Sequence, residues 1–150
     1  MYEHHQVMKT FMLISSIFLV TACGRTNALV DTVAGVYPVA VGFNSICCGT
    51  PSEDFLRTFV KKFNDDNNVK LSADKIAGCG REGEYVIFFY SSKMKPALQN
   101  KFIGALETLV ARQNEANKKA DTSSGGIELL RNVTATSYQH CRIKIQPWSY

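Results

Sequence analysis

The chain has 150 residues, with 17 Lys and Arg against 13 Asp and Glu and a net charge of +4. That is long enough for one domain with its own core, and too mildly charged to define a polyanionic partner. Basic residues are scattered, adjacent only at Lys61-Lys62 and Lys118-Lys119, and no basic stripe carries interleaved aromatics, which argues against nucleic acid as a partner.

The first organised segment begins at Met8. Lys9 supplies a positive flank, Thr10 to Leu19 an apolar run, and Val20-Thr21-Ala22 the small residues of a cleavage site. Only 14 residues separate Lys9 from Gly24, short of the ~20 that span hydrocarbon, so the pattern reads as a secretory leader. The residues Val20-Thr21-Ala22-Cys23 resemble the lipobox of bacterial lipoproteins. The resemblance implies a diacylglycerol on the Cys23 thiol, cleavage just before it, and membrane attachment through that lipid. It also implies a domain in the periplasm, and outer-membrane sorting in a Gram-negative host because Gly24 rather than Asp follows. Ordinary signal peptidase would instead leave a soluble exported chain. The expected organisation is a signal over 1–22 with its start at Met8, an anchor and tether over 23–37, and one α+β domain over 38–150. His4 and His5 go with the leader and form no metal site.

Within the domain, Val39, Val41 and Phe43 alternate with smaller residues and predict a first strand running toward Cys48. Thr50 reads as a helix N-cap, Pro51 as the first helical residue and Glu53 as the closing member of a capping box. Phe55, Leu56, Phe59, Val60 and Phe63 then form a helical apolar stripe that ends at Asn64-Asp65-Asp66-Asn67-Asn68. That acidic stretch lacks the ligand spacing of a calcium loop.

A weaker strand is expected over Lys75 to Cys79, a turn over Gly80-Arg81-Glu82-Gly83, and a central strand over Glu84 to Tyr90. Pro96 opens a second helix with Leu98, Phe102, Ile103, Leu106, Leu109 and Val110 as its buried stripe, and the polar continuation to Lys119 should project or fray. Asp121 to Gly126 reads as a loop, Ile127 to Thr136 as a strand or an extended arm, and Cys141 to Gln146 as the final strand. Asn132-Val133-Thr134 matches a glycosylation sequon that an exported bacterial protein would not use.

The order β-α-β-β-α-β, with one extra extended segment before the last strand, matches the ferredoxin-like split βαβ two-layer sandwich. Cys47, Cys48, Cys79 and Cys141 remain besides the lipidation candidate, an even number that suits disulfides in an oxidising compartment. In that topology all four gather at one end of the sheet, with the last strand beside the first. The expected bridges are therefore Cys47–Cys141 and Cys48–Cys79, with the swapped pairing as the alternative. A thiolate and His140 metal site is the sharper competing reading, but no Cys-x-x-Cys occurs.

The same end carries the start of the first helix, whose free N–H groups favour an anion. Thr50, Arg81, Glu82 and His140 are the candidate ligand-binding residues there, for a small anion or a partner's carboxylate. No nucleophile–base–orienter set is visible, so no catalytic residue and no cofactor is assigned. The leading expectation is a non-enzymatic, lipid-anchored, disulfide-stabilised envelope module that binds an envelope protein, as an inhibitor or immunity factor would, or serves structurally. The alternatives are a metal-binding periplasmic protein and a hydrolase without a recognisable motif. Oligomeric state has no signature in the sequence.

Overall fold

The computed structural model describes residues 35–120 and 125–150. The expected leader and lipidation site, residues 1–23, lie outside the described residues. The elements follow as β1 (Val36–Phe43), α1 (Asp54–Asn67), β2 (Ala73–Ala77), β3 (Tyr85–Phe89), α2 (Pro96–Lys119), β4 (Ile127–Thr134) and β5 (Ile143–Trp148). The strands form one antiparallel sheet in the order β4-β1-β3-β2-β5, and the whole is a mixed α+β arrangement of one open sheet and two helices.

Both helices pack on one face of the sheet. Leu56, Val60 and Phe63 of α1 and Phe102, Leu106 and Val110 of α2 are buried, at the four-residue or shorter spacing that keeps a stripe on one side of a helix. They meet Val39, Val41 and Phe43 of β1 and Ile87 and Phe89 of β3 in one core. Aromatic rings fill its centre, Phe63 and Phe102 lying 5.1 Å apart and Phe89 and Phe102 5.3 Å apart. Pro96 opens α2 at its first turn, where a missing N–H costs nothing. Asn68 closes α1 in the left-handed conformation at φ 50°, its N–H donating to the Asn64 carbonyl.

The other sheet face has its own smaller core of Tyr37, Ala40, Ile76, Val86, Phe88 and Cys141. Its cover is the connection from β4 to β5. Because these strands are the two edges of the sheet, the segment between them crosses the open face as a strap, with a 3₁₀ turn at Ala135–Tyr138. All five residues of β3 are consequently buried, as an uninterrupted apolar run requires.

Four expectations need correction. The last strand does not lie beside the first. Ile127–Thr134 is a full strand that occupies that seat, pairing Val41 with Leu129 and Phe43 with Ile127, and β5 is displaced to the far edge beside β2. Strand β1 starts at Val36, so Val36 and the fully buried Tyr37 belong to the sheet rather than to a tether. Helix α1 starts at Asp54, and neither Thr50 nor Glu53 supplies a side-chain cap; the Ser52 hydroxyl accepts from the Asp54 N–H at 3.2 Å instead. Finally, the polar end of α2 does not fray but stays helical to Lys119, its last residues mostly exposed, and the Asn114 side chain both donates to and accepts from the Ile127 backbone, at 2.7 and 3.0 Å.

Candidate functional site

At the end of the sheet where the cysteines gather, Cys79 follows β2 and Cys141 precedes β5. These neighbouring strands bring the two into a disulfide across a sequence separation of 62. Cys141 and Cys79 thus bond each other, in place of the expected Cys47–Cys141 and Cys48–Cys79 bridges. The reason is the exchanged seat of the last two strands: beside β2, Cys141 faces Cys79 and is carried away from the end of β1. Cys47 and Cys48 are exposed in the loop after β1.

A recess of about 290 Å³ opens beside the bridge, with Glu84, Glu128, Tyr138 and His140 among its walls. Of the four expected ligand residues it brings in only His140, whose ring lies 6.2 Å from that of Tyr138 and whose Nε2 is 3.9 Å from Cys141 Sγ. Arg81 and Glu82 are exposed in the β2–β3 turn, where the Glu82 N–H donates to Glu84 Oε2 at 3.0 Å, and Thr50 is half-buried in the loop before α1. Glu84 and Glu128 bring two carboxylates to this recess beside His140. Burial and, secondarily, the Glu128 charge raise the Tyr138 phenol above its ordinary value. Among the described residues no three His, Cys, Asp or Glu side chains converge as a metal-binding group.

Glu53 has a different task from the capping one. Its carboxylate turns inward, accepting from Lys75 Nζ at 2.7 Å and from Trp148 Nε1 at 3.0 Å, and it also pairs with Arg57. Burial works against its ionisation, but the Lys75 and Trp148 hydrogen bonds and the charges of Lys75 and Arg57 outweigh that and hold it below the usual glutamate value. This arrangement ties α1 to both β2 and β5.

The opposite end of the sheet holds a larger cleft of about 530 Å³. Val69, Leu71, Met94 and Leu98 supply its apolar wall. Lys70, Lys93 and Lys95 stand around it, with Tyr90 at the inner side. The wall is braced from behind. The buried Asn64 accepts from the Leu71 N–H at 3.2 Å, Tyr150 donates to the Leu71 carbonyl, and the Tyr90 N–H donates to the Ser72 carbonyl at 3.0 Å. The Tyr90 hydroxyl donates to Asp74, which Tyr37 also approaches at 3.4 Å. Burial first, and then this bond to Asp74, raises the Tyr90 phenol far above its ordinary value.

Sequence reasoning missed this cleft. Its trace there is the alternation Val69-Lys70-Leu71 and the pair Lys93 and Lys95 about Met94, each too short to register as a motif. Comparison with protein-family models, curated proteins and solved structures finds no match. Among the described residues no helix is long and apolar enough to cross a membrane.

Proposed function

We propose that the chain is an exported, lipid-anchored cell-envelope protein whose folded domain is a non-enzymatic binding module. The observation that carries this reading is the Cys79–Cys141 disulfide, which ties the end of β2 to the strap over a separation of 62 residues. A bond of this kind persists in oxidising compartments and is rare where thiols are kept reduced. It agrees with a leader that ends at Cys23. In this reading the strands β4-β1-β3-β2 and the two helices are a ferredoxin-like split βαβ core, and β5 is an addition outside β2. The fold names no activity by itself, so the binding role rests on the clefts at the sheet ends rather than on topology.

The domain enters its first strand at Val36, beside Tyr90, with the Tyr37 and Tyr90 rings 5.3 Å apart. A tether from Cys23 would join the domain at the lysine-lined end of the sheet.

Labelling with a palmitate analogue in a bacterial host tests the anchor. Incorporation that disappears in a Cys23→Ser variant, with the chain recovered in the membrane fraction, supports it. A leader left uncleaved on an unlabelled chain with reduced Cys79 and Cys141 overturns it.

A further inference from the structure

We infer that the cleft between the end of α1, the start of β2 and the start of α2 binds a small amphipathic anion, with a carboxylate or phosphate head among Lys70, Lys93 and Lys95 and an apolar body against Val69, Leu71, Met94 and Leu98. The inference goes beyond anchoring and holds whether or not Cys23 carries lipid.

Size and composition come first. A volume of about 530 Å³ falls within the roughly 300–1,000 Å³ of small-molecule sites, which are mostly apolar with a few polar groups that orient the ligand. Sign comes next. Lysine supplies every charged side chain lining this cleft, and no acidic side chain lines it. The recess at the other end of the sheet presents Glu84 and Glu128. The two ends of one domain therefore select opposite charges. Helix α2 adds to the positive potential, because it begins at the cleft, carries no acidic residue in its first turn and has no side-chain cap.

The chemistry then narrows the ligand. Exposed ammonium groups attract an anion only weakly in water, so a bare head such as acetate gains little. An apolar wall without a charged partner discriminates poorly. A molecule that satisfies both gains from each, and lysine suits this double task because its aliphatic stem extends the apolar wall while its head stays hydrated. The bonds that brace Leu71, Ser72 and Tyr90 from behind keep the wall in place before a ligand arrives, which limits the ordering cost of binding.

Calorimetric titration of the full chain without detergent tests the site, with octanoate, octyl phosphate, octanol, octyltrimethylammonium and acetate as probes. Saturable binding of one octanoate or octyl phosphate per chain is expected, with the other three at least about tenfold weaker, a difference of about 1.4 kcal/mol. Lys70→Glu combined with Lys95→Glu changes exposed positions only, and should weaken octanoate at least about tenfold while leaving the thermal melt in place. Leu98→Asp should weaken octanoate at least as much from the apolar side, and because Leu98 also packs against the core its melt should fall, so the exposed lysine variant carries the comparison at unchanged stability. Flotation with phosphatidylglycerol vesicles separates two sources of the same chemistry. Flotation that octanoate displaces assigns a bilayer lipid, and octanoate binding without flotation assigns a free amphiphile. Octanol binding as tightly as octanoate, an unaffected double variant, or no saturable binding of either anion overturns the site.

Discussion

Tyr138 stands edge-on to Phe88, with ring centroids 5.6 Å apart and planes at 72°. This contact seats the strap on the middle of the sheet, and the Cys79–Cys141 bridge fixes the strap's far end to the β2–β3 hairpin. One face of the sheet is thus closed by two helices and the other by a single crossing segment. The second face has much less material over it, which makes the bridge and the Tyr138 ring its principal fastenings.

Reduction of the bridge, or Cys79→Ala with Cys141→Ala, should cost about 2–4 kcal/mol of stability through the freed unfolded chain. Urea unfolding with and without a reductant measures this. Hydrogen exchange should show β5 and the strap opening first, while β1 and β3 keep their protection. Unchanged urea midpoints would contradict the fastening role.

Glu53→Gln should destabilise the domain by about 1–3 kcal/mol, because Lys75 loses its charged partner while only partly exposed. The sign of the pH effect follows from the lowered value of Glu53. Its contribution is present above the unfolded glutamate value and fades as pH falls through the folded one. The parent protein should therefore lose stability in acid more steeply than the glutamine variant. Parallel acid slopes in urea unfolding would contradict this.

Alkali should act through tyrosine. Burial first, then Asp74, raises Tyr90; burial first, then Glu53, raises Tyr85; and Tyr37 is raised by burial foremost. A raised folded value contributes stability below the unfolded tyrosine value, and that contribution is lost as pH rises from there through the folded values. Phenolate absorbance of these residues should appear together with the loss of secondary structure. Ordinary titration with circular dichroism intact would count against it.

Gly125 and Gly126, although adjacent, should respond very differently to alanine. Gly125 has φ +69°, and a Cβ there would lie 2.0 Å from the Asn44 carbonyl oxygen, where the Asn44 N–H meets the Gly126 carbonyl at 2.9 Å. Gly125→Ala should cost about 2 kcal/mol or more. Gly126→Ala, with open space around its Cβ position, should lie within about 0.5 kcal/mol of the parent. Thermal melts of both variants decide the comparison.

The two helices were legible because their stripes are local: Phe55 to Phe63 and Leu98 to Val110 repeat every three or four residues, whatever the rest of the chain does. Strand β3 was legible for the same reason. The start of α1 was not, because Thr50-Pro51-Ser52-Glu53 carries a sound capping signal that tertiary contacts override. Lys75 and Trp148, 22 and 95 residues from Glu53, draw its carboxylate inward. The lysine cleft was illegible because its wall comes from two separate stretches, 67–72 and 90–98, neither of which has a pattern of its own.

By itself the sequence determined the two helices, the central strand and their approximate extents, and the four cysteines at 47, 48, 79 and 141. Tertiary structure alone decided which edge each of the last two strands takes, and with it the partner of Cys141 and the strap across the open face. Periodicity records which face of a segment is buried, a property of neighbouring residues. Strand order and disulfide pairing depend on which distant segments fill a shared edge best, and β4, with its longer register along β1, takes that edge and leaves β5 to β2.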